Sequence, residues 1–449
     1  MMRKAIRATR VTQCYFRLVR CRLAAARFGS AAWCFFMKED ARRASSKHNI
    51  RQAYLELAER LEKGSQAGRY AGLDGNTIVD IDYRSIASLD QVRKDLLACS
   101  KIRPARLVTI PKRTGGVRLV YILSIVDRIR ARALFRVLEP LCEKAYSPFL
   151  FSYRSGHSSH FASRSIARRY HRNFGNDFVL TVDLKNYSDR LDHIILRNKL
   201  RSIGVSDDLL GMIEPFLHIS LWQGDHQSVM ESGLPQGTPL TSLFANLYLT
   251  ELDFCIGPRV ALYRRVGDDL IIFDKSQEKR DSAYALIKEG VQLLKLTLQE
   301  NKTHLGKSDE AFRFLGYSFH DNTISLDQSF VVELKNSWRS SFRACSGTLP
   351  NRLRRLKKLA FFSETSFHST FLEVLRQHPH LDDDVQMQRL SHQFYNYATA
   401  ALFGEATPRN RRRAEPLLRE IKFPSLYDYY LAYRRGRGGL APQAAPGAA

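Results

Sequence analysis

The chain of 449 residues is short of cysteine, of acid and of long apolar runs, and each shortage narrows what it can be. Its seven cysteines, at positions 14, 21, 34, 99, 142, 255 and 345, are odd in number and scattered, with no Cys-x-x-Cys pair. That spacing argues against a zinc site or a disulfide framework and predicts reduced thiols in a cytoplasmic protein. No segment reaches the roughly 18 uninterrupted apolar residues of a transmembrane helix, so no membrane partner is expected. Asp and Glu number 45 against 70 Lys and Arg, a formal charge of +25. The stretch 1–36 contains no acid at all. It reads as a basic arm, an organellar presequence, or codons upstream of a true start at Met37.

What is present is globular in kind, with 44% hydrophobic and 26% charged residues. Basic residues recur in "RPARLVTIPKRTGGVR", "DRIRARALFR", "RLRRLKK" and "RNRRR", which suits a long polyanion contacted along much of the fold. Nucleic acid fits that pattern better than a membrane surface. The length implies two or three domains or a multi-lobed enzyme. Helical spacing predicts a helix from Lys38 to about Lys63, another over 89–98 and a third over 127–144, with a strand and basic turn over 105–122. In the middle of the chain, short β-type runs, "FVLTVDL" and "LIIF", alternate with helical stretches such as "SLFANLYLTELDF" and "AYALIKEGVQLLKL". That mixture predicts an α+β fold on an antiparallel sheet. Beyond Asp327 the β-type runs largely stop and basic, helical sequence continues to about Tyr433. The Gly/Pro/Ala-rich tail is expected to be disordered.

Two acidic stretches carry the chemistry. In "LYRRVGDDLIIF", Leu262 to Phe273, Gly-Asp-Asp separates two apolar runs and reads as the turn of a β-hairpin. An exposed tip would explain the acids equally well, since Asp is a common turn residue. In "VLTVDLKNYSDRLDH", Asp183 stands where a strand ends. If the two strands are neighbours, Asp183 and Asp268 converge, and converging carboxylates need a cation such as Mg²⁺ or Mn²⁺. In a protein that binds polyanions, this suggests phosphoryl transfer at a pair of divalent metals. One ion would activate a 3′-hydroxyl and the other would neutralise departing pyrophosphate.

From about Gly72 to Tyr317 the chain resembles bacterial reverse transcriptases of the group II intron-like branch. The resemblance rests on "AGLDGNTI", "TIPKRTGGVRLVYILSIVDRI", "LEPLCEKAYSPFLFSYRSGHSS", "LTVDLKNYSDRLDH", "SGLPQGTPLTSLFANLYLTELD", "YRRVGDDLIIF", "LTLQENKTHLG" and "FRFLGYSF", in that order. It implies a right-hand polymerase: N-terminal helix and fingers over 38–182, palm over 183–327, and a helical thumb with a C-terminal RNA-binding region over 328–435. The stretch 1–37 and the tail 436–449 lie outside it. By the same resemblance, Asp183, Asp268 and Asp269 are the metal ligands of an RNA-directed DNA polymerase using two ions. Lys112 and Arg118 would grip the incoming triphosphate, Arg154 and Gln236 would contact nucleotide or template, and Lys302 would serve as general acid to pyrophosphate. "FRFLGY" would form the primer-grip hairpin.

The chain also departs from that pattern. Val266 stands where most members have Tyr, and Ser155 and His157 replace a Pro and an Arg. Ser188 occupies the place of the aromatic that excludes a 2′-hydroxyl, one residue after Tyr187. Either Tyr187 takes that role through a shifted turn or sugar selection is relaxed. No Cys/His-rich endonuclease segment, spaced RNase H-like acids or retron Val-Thr-Gly signature is evident. The expected setting is an enzyme working with a cognate noncoding RNA in anti-phage defence, with RNA template, dNTPs and DNA product as partners. A group II intron maturase lacking the endonuclease and a non-catalytic RNA-binding scaffold are the alternatives. The oligomeric state is left open, a homo-oligomer included.

Overall fold

A computed structural model describes residues 39–62, 71–81, 86–111, 117–223, 226–361 and 367–436. The N-terminal arm, Lys112 and the Gly/Pro/Ala-rich tail lie outside the described residues. Among the described residues no helix is long and apolar enough to cross a membrane. The observed architecture is α+β with antiparallel strand pairing, as expected. The chain divides into two compact units, one drawn from Met1–Ala162 and Asp177–Gly306, the other from Ser163–Asn176 and Lys307–Ala449. The division at Lys307 differs from the boundary expected at 327/328, because residues 312–326 form a separate small sheet.

In the first unit the hairpin of β1 (Arg106–Pro111) and β2 (Val117–Ile122) precedes the long helix Ile125–Ala145. Ser124 starts that helix by accepting a hydrogen bond from the Asp127 amide at 3.2 Å. The N-terminal helical stretch is in two pieces: residues 39–44 are helical and, after a break at Ser45 and Ser46, the helix Lys47–Glu62 follows. Its start is set by Ser46, whose hydroxyl accepts from the Asn49 amide at 3.2 Å. The sheet comprises β3 (Phe178–Val182), β6 (Leu262–Val266), β7 (Asp269–Asp274) and β8 (His304–Lys307) in the order β6-β7-β3-β8, while β4 (Ser220–Gln223) and β5 (His226–Val229) form a separate hairpin. The inner strands β3 and β7 are buried on both faces along most of their length, with apolar runs at 178–180 and 270–273. Edge strand β6 alternates, with Tyr263 and Arg265 turned inward.

In the second unit β9 (Phe312–Phe314), β10 (Tyr317–His320) and β11 (Thr323–Leu326) form an antiparallel sheet in the order β11-β10-β9. Leu315 and Gly316 join β9 to β10 with φ of +51° and +78°, the pattern of a type I′ turn. "FRFLGY" therefore does form a hairpin. Phe312 and Phe319 stack with centroids 4.6 Å apart, and Tyr170 meets Phe319 edge-on at 5.1 Å. Among the described residues, six helices follow the sheet in this unit, from Gln328–Arg343 to Leu426–Arg435. They close on aromatic residues: Trp338 and Phe423 each pack on Phe394, with centroids 5.0 and 5.1 Å away. Tyr430 of "LYDYYLAYRR" is buried and donates to Asp384 at 2.9 Å, so this tyrosine belongs to the core.

Candidate active site

Strand register brings the acids together. In the antiparallel pair β3/β7 the last partners are Val182 and Leu270. One step further along the same register, Asp183 stands beside Asp269. The β6/β7 hairpin closes at Val266 opposite Asp269, leaving Gly267 and Asp268 as a two-residue turn. Gly267 has φ +65° and Asp268 stays in the ordinary negative region, the pattern of a type II′ turn, whose first central residue favours glycine. The three carboxylates line one cavity of about 600 Å³, together with Arg118, Tyr187, Ser188, Gln236 and Lys302. The turn acids are half-buried, so the reading of a freely solvated tip fails.

Crowding the acids changes their chemistry. Burial, then the neighbouring Asp268 and Asp183, pushes the Asp269 carboxyl up to about 8. Burial and Asp183 also raise Asp268, against the pull of Lys302 and Arg118. Hard oxygen donors that repel one another until they hold protons are a donor set that a divalent cation would relieve. Among the described residues no set of three or more His, Cys, Asp or Glu side chains closes around a single point. Few-carboxylate sets of this kind suit ions completed by water and phosphate oxygens, the usual situation for Mg²⁺.

Two loops complete the cavity. Residues 183–185 pair with 297–299: Lys185 donates its amide to the Thr297 carbonyl at 2.9 Å, and Gln299 donates to the Asp183 carbonyl at 2.9 Å. A single 3-10 turn, Glu300–Lys302, then presents the Lys302 ammonium 3.0 Å from Asp183 Oδ2. On the other side, the Gln236 carbonyl accepts from the Tyr121 amide at 2.7 Å, and its side chain donates to Asp189 at 3.2 Å. Gly237 has φ +109°, and a Cβ there would sit 2.9 Å from the Tyr121 carbonyl oxygen. Only glycine meets both demands, as its close backbone approach to β2 requires.

Asn186 adopts φ +50° and opens the turn Tyr187–Asp189. The Tyr187 ring is 4% exposed and its hydroxyl donates to the Ala245 carbonyl at 2.5 Å. The turn is held in place by the Leu234 amide on the Ser188 carbonyl, at 2.7 Å. The Tyr187 side chain is thus tied down through its hydroxyl, and both it and Ser188 line the cavity. Arg154 is engaged elsewhere. It does not line the cavity, because its guanidinium donates to Glu143 at 2.9 and 2.7 Å and to the Ser147 carbonyl at 2.7 Å. Lys112 lies outside the described residues, so only Arg118 of that pair can be located.

Sequence reasoning missed the support beneath the hairpin. Arg265 and Asp253 are both fully buried, joined by bonds of 2.7 to 3.0 Å. Arg265 also donates to the carbonyls of Asn246 and Gly267 at 3.0 Å each. This pair ties the helix Thr250–Ile256 to the turn that carries Asp268. The inward place of Arg265 in the alternation of β6 was the available signal. Asp189 and Tyr153, both lining the cavity, were also missed.

Residues 110–319 match the sequence profile of the family described as "Reverse transcriptase (RNA-dependent DNA polymerase)". Protein YkfC of Escherichia coli K12 is 26% identical over 59% of this chain and 79% of its own length. The group II intron-encoded protein LtrA of Lactococcus lactis is 27% identical over 34% of this chain, which spans only 25% of that protein. Telomerase from Candida albicans, solved in complex with a telomeric RNA fragment, aligns at 13% identity over 77% of this chain and 68% of its own, with a TM-score of 0.41.

Proposed function

Because the chain is a bacterial group II intron-like reverse transcriptase, an RNA-directed DNA polymerase, we propose that Asp183, Asp268 and Asp269 form its polymerisation centre. The convergence of these three carboxylates in one cavity with Arg118 and Lys302 carries the reading. Reverse transcriptases use divalent metal ions; two Mg²⁺ held by these acids would supply activation of the primer 3′-hydroxyl and charge neutralisation of pyrophosphate. Arg118, on β2, grips the triphosphate of the incoming nucleotide. Lys302, held near Asp183, delivers positive charge and a proton to the leaving pyrophosphate. Gln236, fixed between β2 and Asp189, positions nucleotide or template. Ser188 leaves open the space that an aromatic would fill, which favours admission of ribonucleotides.

In biological setting, the protein acts in the cytoplasm with a cognate noncoding RNA in anti-phage defence. The unusual residues Val266, Ser155, His157 and Ser188 favour this reading. The likeness to LtrA favours a second, an intron maturase. The test is primer extension on an RNA template by the purified protein with Mg²⁺, beside Asp268→Ala/Asp269→Ala. Incorporation that persists in the double variant would refute the assignment of these acids. Tight RNA binding with no incorporation by either protein would favour the scaffold.

A further inference from the structure

Tyr153 lines the carboxylate cavity, yet it is 77% exposed and its backbone sits at φ +51°. A bulky residue in the left-handed region is uncommon and persists only where its surroundings impose it. Here both chain neighbours impose it. The Ser152 hydroxyl accepts from the Gly267 amide at 2.8 Å and donates to Asn246 Oδ1 at 3.1 Å, while its carbonyl accepts from Asn246 Nδ2 at 2.8 Å. Arg154 is fixed to Glu143 and to the Ser147 carbonyl, with its guanidinium 5.3 Å from the Tyr146 ring centroid. Tyr153 cannot relax without breaking one of these anchors. A glycine would occupy the position without strain. Instead the chain holds a strained aromatic residue at the cavity wall, largely in the open, where it gains little packing.

The chemistry of the wall indicates the ligand. The cations of the cavity, Arg118 and Lys302, act on the carboxylates and suit phosphate. Tyr153 shares the cavity with the neutral Thr241, Ser242, Ala245 and Asn246 of the helix Pro239–Tyr248, and Asn246 is bonded to its neighbour Ser152. A flat uncharged partner suits that wall, and a nucleobase is one. Bases within a duplex have both faces covered, and an incoming nucleotide becomes paired. The template base next to be copied keeps a free face. Resting on the polymerase reading above, we propose that Tyr153 is a stacking platform for the unpaired template base, held in place by Ser152 and Arg154.

The experiment uses the full chain and an RNA template annealed to a DNA primer, with 2-aminopurine as the first unpaired template base and no dNTP. Wild type is expected to quench the fluorophore, and Tyr153→Phe to match it. Tyr153→Gly and Tyr153→Asn, both tolerant of this backbone conformation, should fold with an unchanged or raised melting temperature. They should lose the quench and bind the hybrid about tenfold more weakly, in line with loss of one base–aromatic stack. Equal quenching and affinity in wild type and both folded variants would overturn the proposal. If wild type binds and quenches but does not extend the primer in the presence of dNTPs and Mg²⁺, the polymerase reading fails while the assignment of Tyr153 stands.

Discussion

Replacing Asp269 by Asn should stabilise the metal-free protein while abolishing its activity. The Asp269 carboxyl, at 3.8 in its unperturbed state, is pushed up to about 8 by burial and by Asp268 and Asp183. Between those values the folded protein holds a proton that the unfolded chain has released, so stability falls as pH rises through the window. At about 1.4 kcal/mol per unit, the three or so units between 3.8 and pH 7 cap the cost at about 4 kcal/mol. Asn has the same shape without the charge, and its amide must find partners, so a net gain of about 1–3 kcal/mol is expected. For a unit of this size that is a rise of roughly 3–8 °C. The assay is thermal unfolding in chelator at pH 7.5 and pH 5, with and without Mg²⁺. The gain should shrink by more than half at pH 5, where less charge is there to be relieved. Mg²⁺ should stabilise wild type at pH 7.5 more than the variant. A variant that is no more stable than wild type in chelator at pH 7.5, or equally stabilised at both pH values, would refute the account of mutual repulsion.

Three further outcomes follow from the same geometry. Ser188→Phe should raise the preference for dNTP over rNTP several-fold in single-nucleotide incorporation; an unaltered ratio would sink the idea that Ser188 relaxes sugar selection. Gly237→Ala should cost about 1–3 kcal/mol of stability, since its φ of +109° suits glycine alone and its Cβ would meet the Tyr121 carbonyl. Raised KM for the nucleotide should accompany that loss, and wild-type KM would show that the Gln236 loop is not held by β2. Arg265→Met leaves the Asp253 carboxylate buried without its counter-ion, with only the Tyr263 hydroxyl still donating to it, and should cost about 3–5 kcal/mol in chemical denaturation. Asp253→Leu added to it should recover much of that loss, and a double variant no more stable than the single one would contradict the pairing.

Much of the site could be read from residue types because its elements obey local rules. Asp183 ends an apolar run and Asp268 sits in a Gly-led turn, and both features survive in the fold because they depend on period and turn chemistry alone. Whether those strands were neighbours was a nonlocal matter, and it is the register Val182 to Leu270 that makes the acids meet. What was not legible is of the same kind. Arg154 carries the charge of a ligand-binding residue, and nothing in "SYRSGH" reveals that Glu143, eleven positions earlier, would accept its guanidinium. Arg265 looks like one more surface cation in a basic chain until the alternation of β6 turns it inward onto Asp253. The single helix expected from Lys38 is broken at Ser45 and Ser46, because the Ser-Ser pair offers a cap that composition averaged over the stretch conceals.

The positioning of the acids does not depend on the acids themselves. Left to their charges, Asp183, Asp268 and Asp269 would move apart, and burial makes that repulsion stronger. They are held instead from behind. The β3/β7 ladder holds Asp183 and Asp269, and the buried Arg265–Asp253 pair grips the Gly267 carbonyl from within. The Ser152 hydroxyl accepts the Gly267 amide from the other side. Gly267 of the turn is thus fixed at both of its backbone polar groups by the side chains of Arg265 and Ser152. A site built this way has its repulsion present before any cation arrives, so cation binding relieves strain already in place rather than gathering loose ligands. That order is what makes charge removal at Asp269 stabilising and partner removal at Arg265 destabilising, although both changes delete one charge from the same few ångströms of protein.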